Sequence, residues 1–245
     1  MREKVEIESQ GLILDGELWK PSLKAESVVV LCHGIPLSKP DPNDAGYSFL
    51  AEAICSKGNA SLFVNFRGTG QSQGNFDPLG WYEDLLCIMR FTSGFKRRFM
   101  VGFSAGGALA IKYAALNRDV DGVAAFAAPA SLSRVFSRDK FSYFIEAARL
   151  AGIIRDCEFP PDEDWYFERM KTLDSIEYVC KVSPIPLLIV HGERDELVPV
   201  EHSYELFELA QEPKEIKILA GGEHRLRKDP RTPGIIIEWL EALNS

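Results

Sequence analysis

Phe99-Met100-Val101-Gly102-Phe103-Ser104-Ala105-Gly106-Gly107-Ala108 is the stretch on which the reading of this chain turns. Phe99 to Phe103 is an apolar run of strand length, and Ala105 to Leu116 is a helical pattern rich in small residues. Between them, Gly102-Phe103-Ser104-Ala105-Gly106 spells G-x-S-x-G. A pattern that short carries a substantial risk of a chance match. Its setting raises its weight, because a strand running directly into a turn and a helix is what a nucleophile elbow requires. The flanking glycines leave room where the strained turn brings backbone close to a neighbouring strand and helix. The serine is thereby pushed out at the carboxyl end of a sheet, where ligand sites of α/β proteins lie. The plainer alternative is a serine at an ordinary helix N-cap.

Working outward, short β-branched runs alternate with longer helical patterns. Val5 to Trp19 reads as a hairpin turning at Gln10-Gly11, with a second turn at Asp15-Gly16 as an option. Val28 to Cys32 is a continuous apolar run, the mark of a strand buried on both faces. Residues from about Asp44 to Lys57 pattern as a helix stopped by Gly58, and Leu62 to Phe66 as a strand. Asp77-Pro78 opens a helix that runs to about Thr92. Gly122 to Ala127, Pro186 to Val190 and Glu215 to Leu219 are further strands, and a last helix runs from about Pro233 to Leu243. Such alternation implies right-handed βαβ crossovers and a mostly parallel sheet with helices on both faces. The exception is residues 130–183, helical in pattern and without a strand. Phe141, Phe144, Ile145 and Ala148 there follow the i, i+3, i+4, i+7 spacing of an amphipathic helix. An insertion of this kind at one edge of the sheet reads as a small helical cap on a single domain spanning 1–245.

The composition agrees with an ordinary globular enzyme. Hydrophobic residues are 46% of 245 and charged residues 26%, which excludes a disordered or fibrous chain. A net charge of −8 argues against nucleic acid or an anionic membrane surface as partner. Cys32, Cys55, Cys87, Cys157 and Cys180 are odd in number, far apart and without metal spacing. They read as reduced thiols of a cytoplasmic protein, with no metal implied. The charged start, Met1 to Glu6, lacks the apolar run of a signal peptide, and no run of 18 apolar residues would span a membrane.

A serine hydroxyl is a poor nucleophile until a base takes its proton and a carboxylate orients that base. Only four histidines are available. His33 and His191 each close a buried strand in a His-Gly pair, where a loop hydrogen bond is the common fate. His202 falls in a helical pattern, on what reads as a solvated face. His224 follows a strand and the flexible pair Gly221-Gly222, so it stands at the sheet's carboxyl edge and is the best general base. Glu193, Asp195 and Glu196 compete as the acid on the loop after Val190, ahead of a helix or turn that begins near Val198-Pro199. The oxyanion hole needs two backbone N–H groups. Ala105 supplies one, at the start of its helix. The second comes from His33-Gly34-Ile35-Pro36, where proline has no N–H and Ile35 is preferred to Gly34.

Taken together these motifs resemble the serine hydrolases of the α/β-hydrolase superfamily, in the esterase and serine aminopeptidase-like group. The likeness rests on His33-Gly34, the turn at Ser104, His191-Gly192-x-x-Asp195-x-x-Val198-Pro199 and Gly222-x-His224. Asn65-Phe66-Arg67-Gly68-Thr69-Gly70-Gln71-Ser72 also matches, though several members have aspartate where Asn65 stands. The resemblance covers nearly the whole chain, least in 129–183. It implies an α/β-hydrolase fold and favours Asp195 as the acid, giving the order Ser104, Asp195, His224. It makes Arg67 a brace for the loop beside the active site.

The segment proposed as a cap carries Phe136, Phe141, Tyr143, Phe144, Trp165, Tyr166 and Phe167, which can line an acyl pocket or seal the segment to the core. It also carries Glu158, Asp162, Glu163 and Asp164, a solvated loop or, as in aminopeptidase-like relatives, a site for a free amine. The expectation is a serine hydrolase without cofactor, acting on small to medium carboxylic esters through Ser104, His224 and Asp195. An aminopeptidase or amidase with the same residues is the rival, and a catalytically silent binding protein the more distant one. The acyl group, the alcohol and the oligomeric state are left open.

Overall fold

The computed structural model describes residues 1–38 and 46–244. In chain order its elements are β1 (Arg2–Ser9), β2 (Leu12–Trp19), β3 (Ser27–Cys32), α1 (Ser48–Ser56), β4 (Ala60–Val64), α2 (Pro78–Phe91), β5 (Arg97–Phe103), α3 (Ala105–Asn117) and β6 (Gly122–Phe126). Then follow α4 (Leu132–Val135), α5 (Phe141–Leu150), α6 (Glu163–Lys171), β7 (Leu187–Gly192), α7 (Glu201–Leu209), β8 (Lys214–Leu219) and α8 (Thr232–Asn244). The expected helix over 44–57 begins within the described residues at Ser48; Asp44 and Ala45 lie outside them.

The strands form one sheet in the order β1-β2-β4-β3-β5-β6-β7-β8. From β4 to β8 every pairing is parallel, while β1 and β2 add an antiparallel edge. Alternate side chains of the central strands enter different cores. Val28, Val30, Met100, Val123 and Ile189 pack with α2, α3 and α7 on one face. Val29, Leu31, Phe99, Val101 and Leu188 pack with α1 and α8 on the other. This is why their sequence is continuously apolar, each fully buried side chain contributing roughly 1.5–3 kcal/mol.

Two local expectations are corrected. No turn occurs at Asp15-Gly16, which instead pair with Glu6 and Val5 inside the hairpin. Gly16 sits there because β2 runs against β4, where a Cβ would lie 2.7 Å from the Phe63 carbonyl oxygen. The hairpin reverses only at Gln10-Gly11, both at positive φ (50° and 78°), as a two-residue turn that matches strand twist demands. β4 ends at Val64 rather than Phe66, because the Phe66 N–H leaves the ladder and donates to His33 Nε2 at 3.0 Å.

Between β6 and β7 the chain is helical, and α5 buries Phe141, Phe144, Ile145 and Ala148, the face its spacing predicts. The segment leaves from within the sheet and not from its edge, because β8 lies outside β7. It is tied to the body by polar contacts. Tyr166 Oη donates to the Phe76 carbonyl at 2.6 Å, and Arg169 Nε lies 2.7 Å from Asp77, the carboxylate that also caps α2. Arg155 donates to the carbonyls of Gly68, Gly70 and Ser72. Among the described residues, no helix is long and apolar enough to cross a membrane.

Candidate active site

Ser104 stands between β5 and α3 with φ 53° and ψ −124°, a backbone conformation that costs on the order of 1–3 kcal/mol and persists only where its surroundings hold it. They do. The Ser104 N–H donates to Phe126 O at 2.8 Å, stitching the turn to β6. A Cβ on Gly102 would lie 2.3 Å from the Gly106 carbonyl oxygen, and one on Gly106 2.2 Å from that of Cys32. The turn is therefore packed backbone against backbone, and both glycines of the motif are required by contact.

His224, on the loop after β8, places Nε2 3.1 Å from Ser104 Oγ and Nδ1 2.7 Å from Asp195 Oδ2. An ionised carboxylate only accepts, so Nδ1 carries the proton and Nε2 offers its lone pair to the serine hydroxyl. Asp195, on the loop after β7, has a fully buried side chain. Burial alone would raise its pKa, but hydrogen bonds from His191, His224 and the Val198 N–H outweigh it and hold the carboxyl below the usual range. Its Oδ1 accepts from the N–H groups of Leu197 (3.0 Å) and Val198 (2.8 Å). Of the three competing carboxylates, only Asp195 reaches His224. Exposed Glu193 accepts from the Gly221 N–H at 2.9 Å, and Glu196 is exposed.

Gly34 abuts the serine so closely that a Cβ there would lie 2.9 Å from Ser104 Cβ. The next amide is that of Ile35. Among the described residues, neither the Ile35 N–H nor the Ala105 N–H donates to another group of the chain. His33 sets this loop: Nδ1 donates to the Gly34 carbonyl at 2.8 Å while Nε2 accepts from Phe66. In a trans peptide the carbonyl and the following N–H point oppositely, so fixing the Gly34 carbonyl also fixes the Ile35 N–H. Burial lowers the His33 pKa to about 4 and keeps the ring neutral. The unfolded chain then binds the extra proton between about pH 6.5 and 4, and stability is full above that window and lost as pH falls through it. Urea unfolding should show roughly 3 kcal/mol less stability at pH 4 than at pH 7, with a flatter dependence in His33→Gln; equal slopes would assign the loss elsewhere.

The remaining histidines are also accounted for. His191 is buried, with Nε2 2.8 Å from Val198 O. His202 is not on a solvated face: it is buried, and its Nδ1 accepts from the Ala130 N–H at 3.1 Å. The reason is that α7 turns this position toward the start of the β6–β7 segment. Arg67 pairs with Asp84 (Nη2 to Oδ1, 2.7 Å) inside the core, a brace whose partner the sequence reading did not identify.

A cavity of about 570 Å³ opens over Ser104. Its wall includes Phe103, Leu132, Val135 and Phe136, and of the seven aromatics named above as candidates only Phe136 reaches it. Phe141, Phe144, Tyr166 and Phe167 are buried in the packing beneath, and Tyr143 points to solvent. None of the four acidic candidates lines it. Asp162 caps α6, Glu163 and Asp164 pair with Arg138, and Glu158 accepts from Cys157. Among the described lining residues there is no aspartate or glutamate; the permanent charges are Arg225 and Arg227, which the sequence reading missed. Their placement at alternate positions, one and three after His224, is the signal that could have found them. Among the described residues, no three His, Cys, Asp or Glu side chains cluster as a metal site.

Comparison with known proteins gives a consistent picture. The model of the alpha/beta hydrolase family matches residues 29–232. The uncharacterized protein YfhR of Escherichia coli K12 is 30% identical over 173 residues, 68% of this chain and 54% of that protein. YfhR of Salmonella typhimurium LT2 is 28% identical over 178 residues, 68% and 55% of the two. The chain thus spans about half the length of the curated relatives it matches. Among solved structures, the alpha/beta hydrolase GrgF of Penicillium sp. sh18 superposes with a TM-score of 0.76 at 22% identity, covering 99% of this chain and 98% of that one. Est1E of Butyrivibrio proteoclasticus, solved with ferulic acid bound, has a TM-score of 0.71 at 20% identity, with coverage of 97% and 96%. An esterase of Pyrococcus furiosus gives 0.71 at 20% identity, with coverage of 99% and 90%.

Proposed function

This chain belongs to the alpha/beta hydrolase family, and from that premise we propose that it is a serine hydrolase of small to medium carboxylic esters. The observation that carries the reading is the hydrogen-bonded series Ser104 Oγ, His224, Asp195, at 3.1 and 2.7 Å, beneath a largely apolar cavity. Ser104 Oγ attacks the acyl carbonyl while His224 Nε2 takes its proton. The Ile35 and Ala105 N–H groups receive the oxyanion, placed where charge develops rather than where it starts. His224 returns the proton to the departing alkoxide, leaving an acyl ester on Ser104. Water then repeats the cycle from the other side: His224 takes its proton, and the acid leaves as Ser104 regains its own. Asp195 stays ionised throughout and holds the imidazolium. Residues 130–183 act as a helical cap, with Leu132, Val135 and Phe136 as its contribution to the acyl pocket.

Esters are favoured over aminoacyl amides because the lining carries cationic side chains and, among the described residues, no carboxylate to hold an ammonium group. On p-nitrophenyl esters, kcat/KM should rise about fourfold per acyl methylene until the cavity is filled, each buried methylene being worth about 0.8 kcal/mol. Aminoacyl p-nitroanilides should be poor substrates, and N-acetylation should not weaken them further. A free amine that raised kcat/KM tenfold or more over its acetylated form would hand the assignment to an aminopeptidase.

A further inference from the structure

We propose that His191 is a positioning residue for this hydrolysis, acting from behind the carboxylate through an Nε2–H shared between Asp195 and Val198; this rests on the triad reading given above. His191 ends β7 with its side chain wholly buried. Nε2 lies 2.8 Å from the Val198 carbonyl oxygen and 3.2 Å from Asp195 Oδ2. Both are acceptors, so Nε2 carries the proton, and Nδ1 accepts from the Ser203 hydroxyl on α7. The tautomer is therefore set by the two acceptors at Nε2, and the Ser203 hydroxyl, which can donate or accept, adapts to it.

The consequence is a closed bracket around the carboxylate. The Val198 N–H donates to Oδ1, and the carbonyl of that same residue accepts from His191, whose ring also faces Oδ2. Val198 is thus gripped on both sides, and the atom that receives the His224 Nδ1–H has a second donor opposite it. A hydrogen bond supplied to a buried carboxylate fixes its rotamer and favours its ionised form. Remove that donor, and Oδ2 is free to shift by the tenths of an ångström that misalign His224 with Ser104. Because nothing of His191 lines the cavity, ground-state binding should not feel the change.

The test compares two side chains of similar length in the intact protein. His191→Met removes the donor, whereas His191→Gln returns an N–H near the Nε2 position. On a cleaved p-nitrophenyl ester, His191→Met should lose on the order of 10–100-fold in kcat with KM within about twofold, as misplacement of reacting groups predicts. His191→Gln should recover most of that loss. The low-field proton resonance of the His224 Nδ1–H should move in the Met variant and return in the Gln variant. Equal loss in both variants with that resonance unmoved, or wild-type kcat in His191→Met, overturns the proposal. Should His191→Met not fold, His191→Asn replaces it, since its amide stops near the Nδ1 position; Asn and Gln variants of equal activity then overturn it. A wild-type protein that cleaves no ester and whose Ser104 takes no fluorophosphonate defeats the triad reading itself, a result distinct from any of these.

Discussion

Ser104→Ala is expected to lose at least ~10³-fold in kcat on an ester that the wild type cleaves, and to lose labelling by a fluorophosphonate probe. The size follows from what the hydroxyl alone supplies. Without it there is no acyl-enzyme, and only direct attack by water on a substrate held against the Ile35 and Ala105 amides remains. The fold should survive, because the strain at this position is in the backbone and the Ser104 N–H bond to Phe126 does not involve the side chain. Probe labelling that persists in a folded Ser104→Ala protein would place the nucleophile elsewhere.

Asp195→Asn should lose about 10⁴-fold in kcat, the loss seen when the orienting carboxylate of a serine protease triad is amidated. An amide can turn its N–H toward His224 Nδ1. That nitrogen then becomes the acceptor, the proton moves to Nε2, and the ring meets Ser104 as a donor when it is needed as a base. Glu193→Gln and Glu196→Gln should stay within about twofold of wild type, because neither carboxylate touches His224. A series in which Glu193→Gln hurt most would move the acid and leave Ser104 and His224 in place.

What could be read in advance depended on how local the cause was. β3 and β5 are legible because strands buried on both faces must be apolar at every position, and Ser104 is legible because contact leaves no side chain room at Gly102 or Gly106. His224 emerges by elimination, since only four histidines exist. Choosing Asp195 needed the resemblance to a family. Glu193, Asp195 and Glu196 share one loop, and the choice among them is made by the Leu197 and Val198 amides, whose direction is a property of the folded turn. His202 was misread because helix phase against the start of the β6–β7 segment at Pro129–Ala130 is set by tertiary packing. Arg225 and Arg227 were overlooked because only the closed fold shows that the loop after β8 turns them to the cavity.

The division of the interior into two cores also governs which changes of length this chain can absorb. β5 sends Phe99 and Val101 to one core and Met100 to the other, and it ends on the residue before Ser104. Adding or deleting one residue between Arg97 and Phe103 would exchange those side chains between cores and carry the serine to the wrong side of the sheet in the same step. A single-residue insertion in β5 is thus expected to disturb packing and the placement of Ser104 together. The connection from β6 to β7 has no such constraint, because it leaves and re-enters the sheet without disturbing the register of β5. Residues inserted there would leave β5 and Ser104 where they stand.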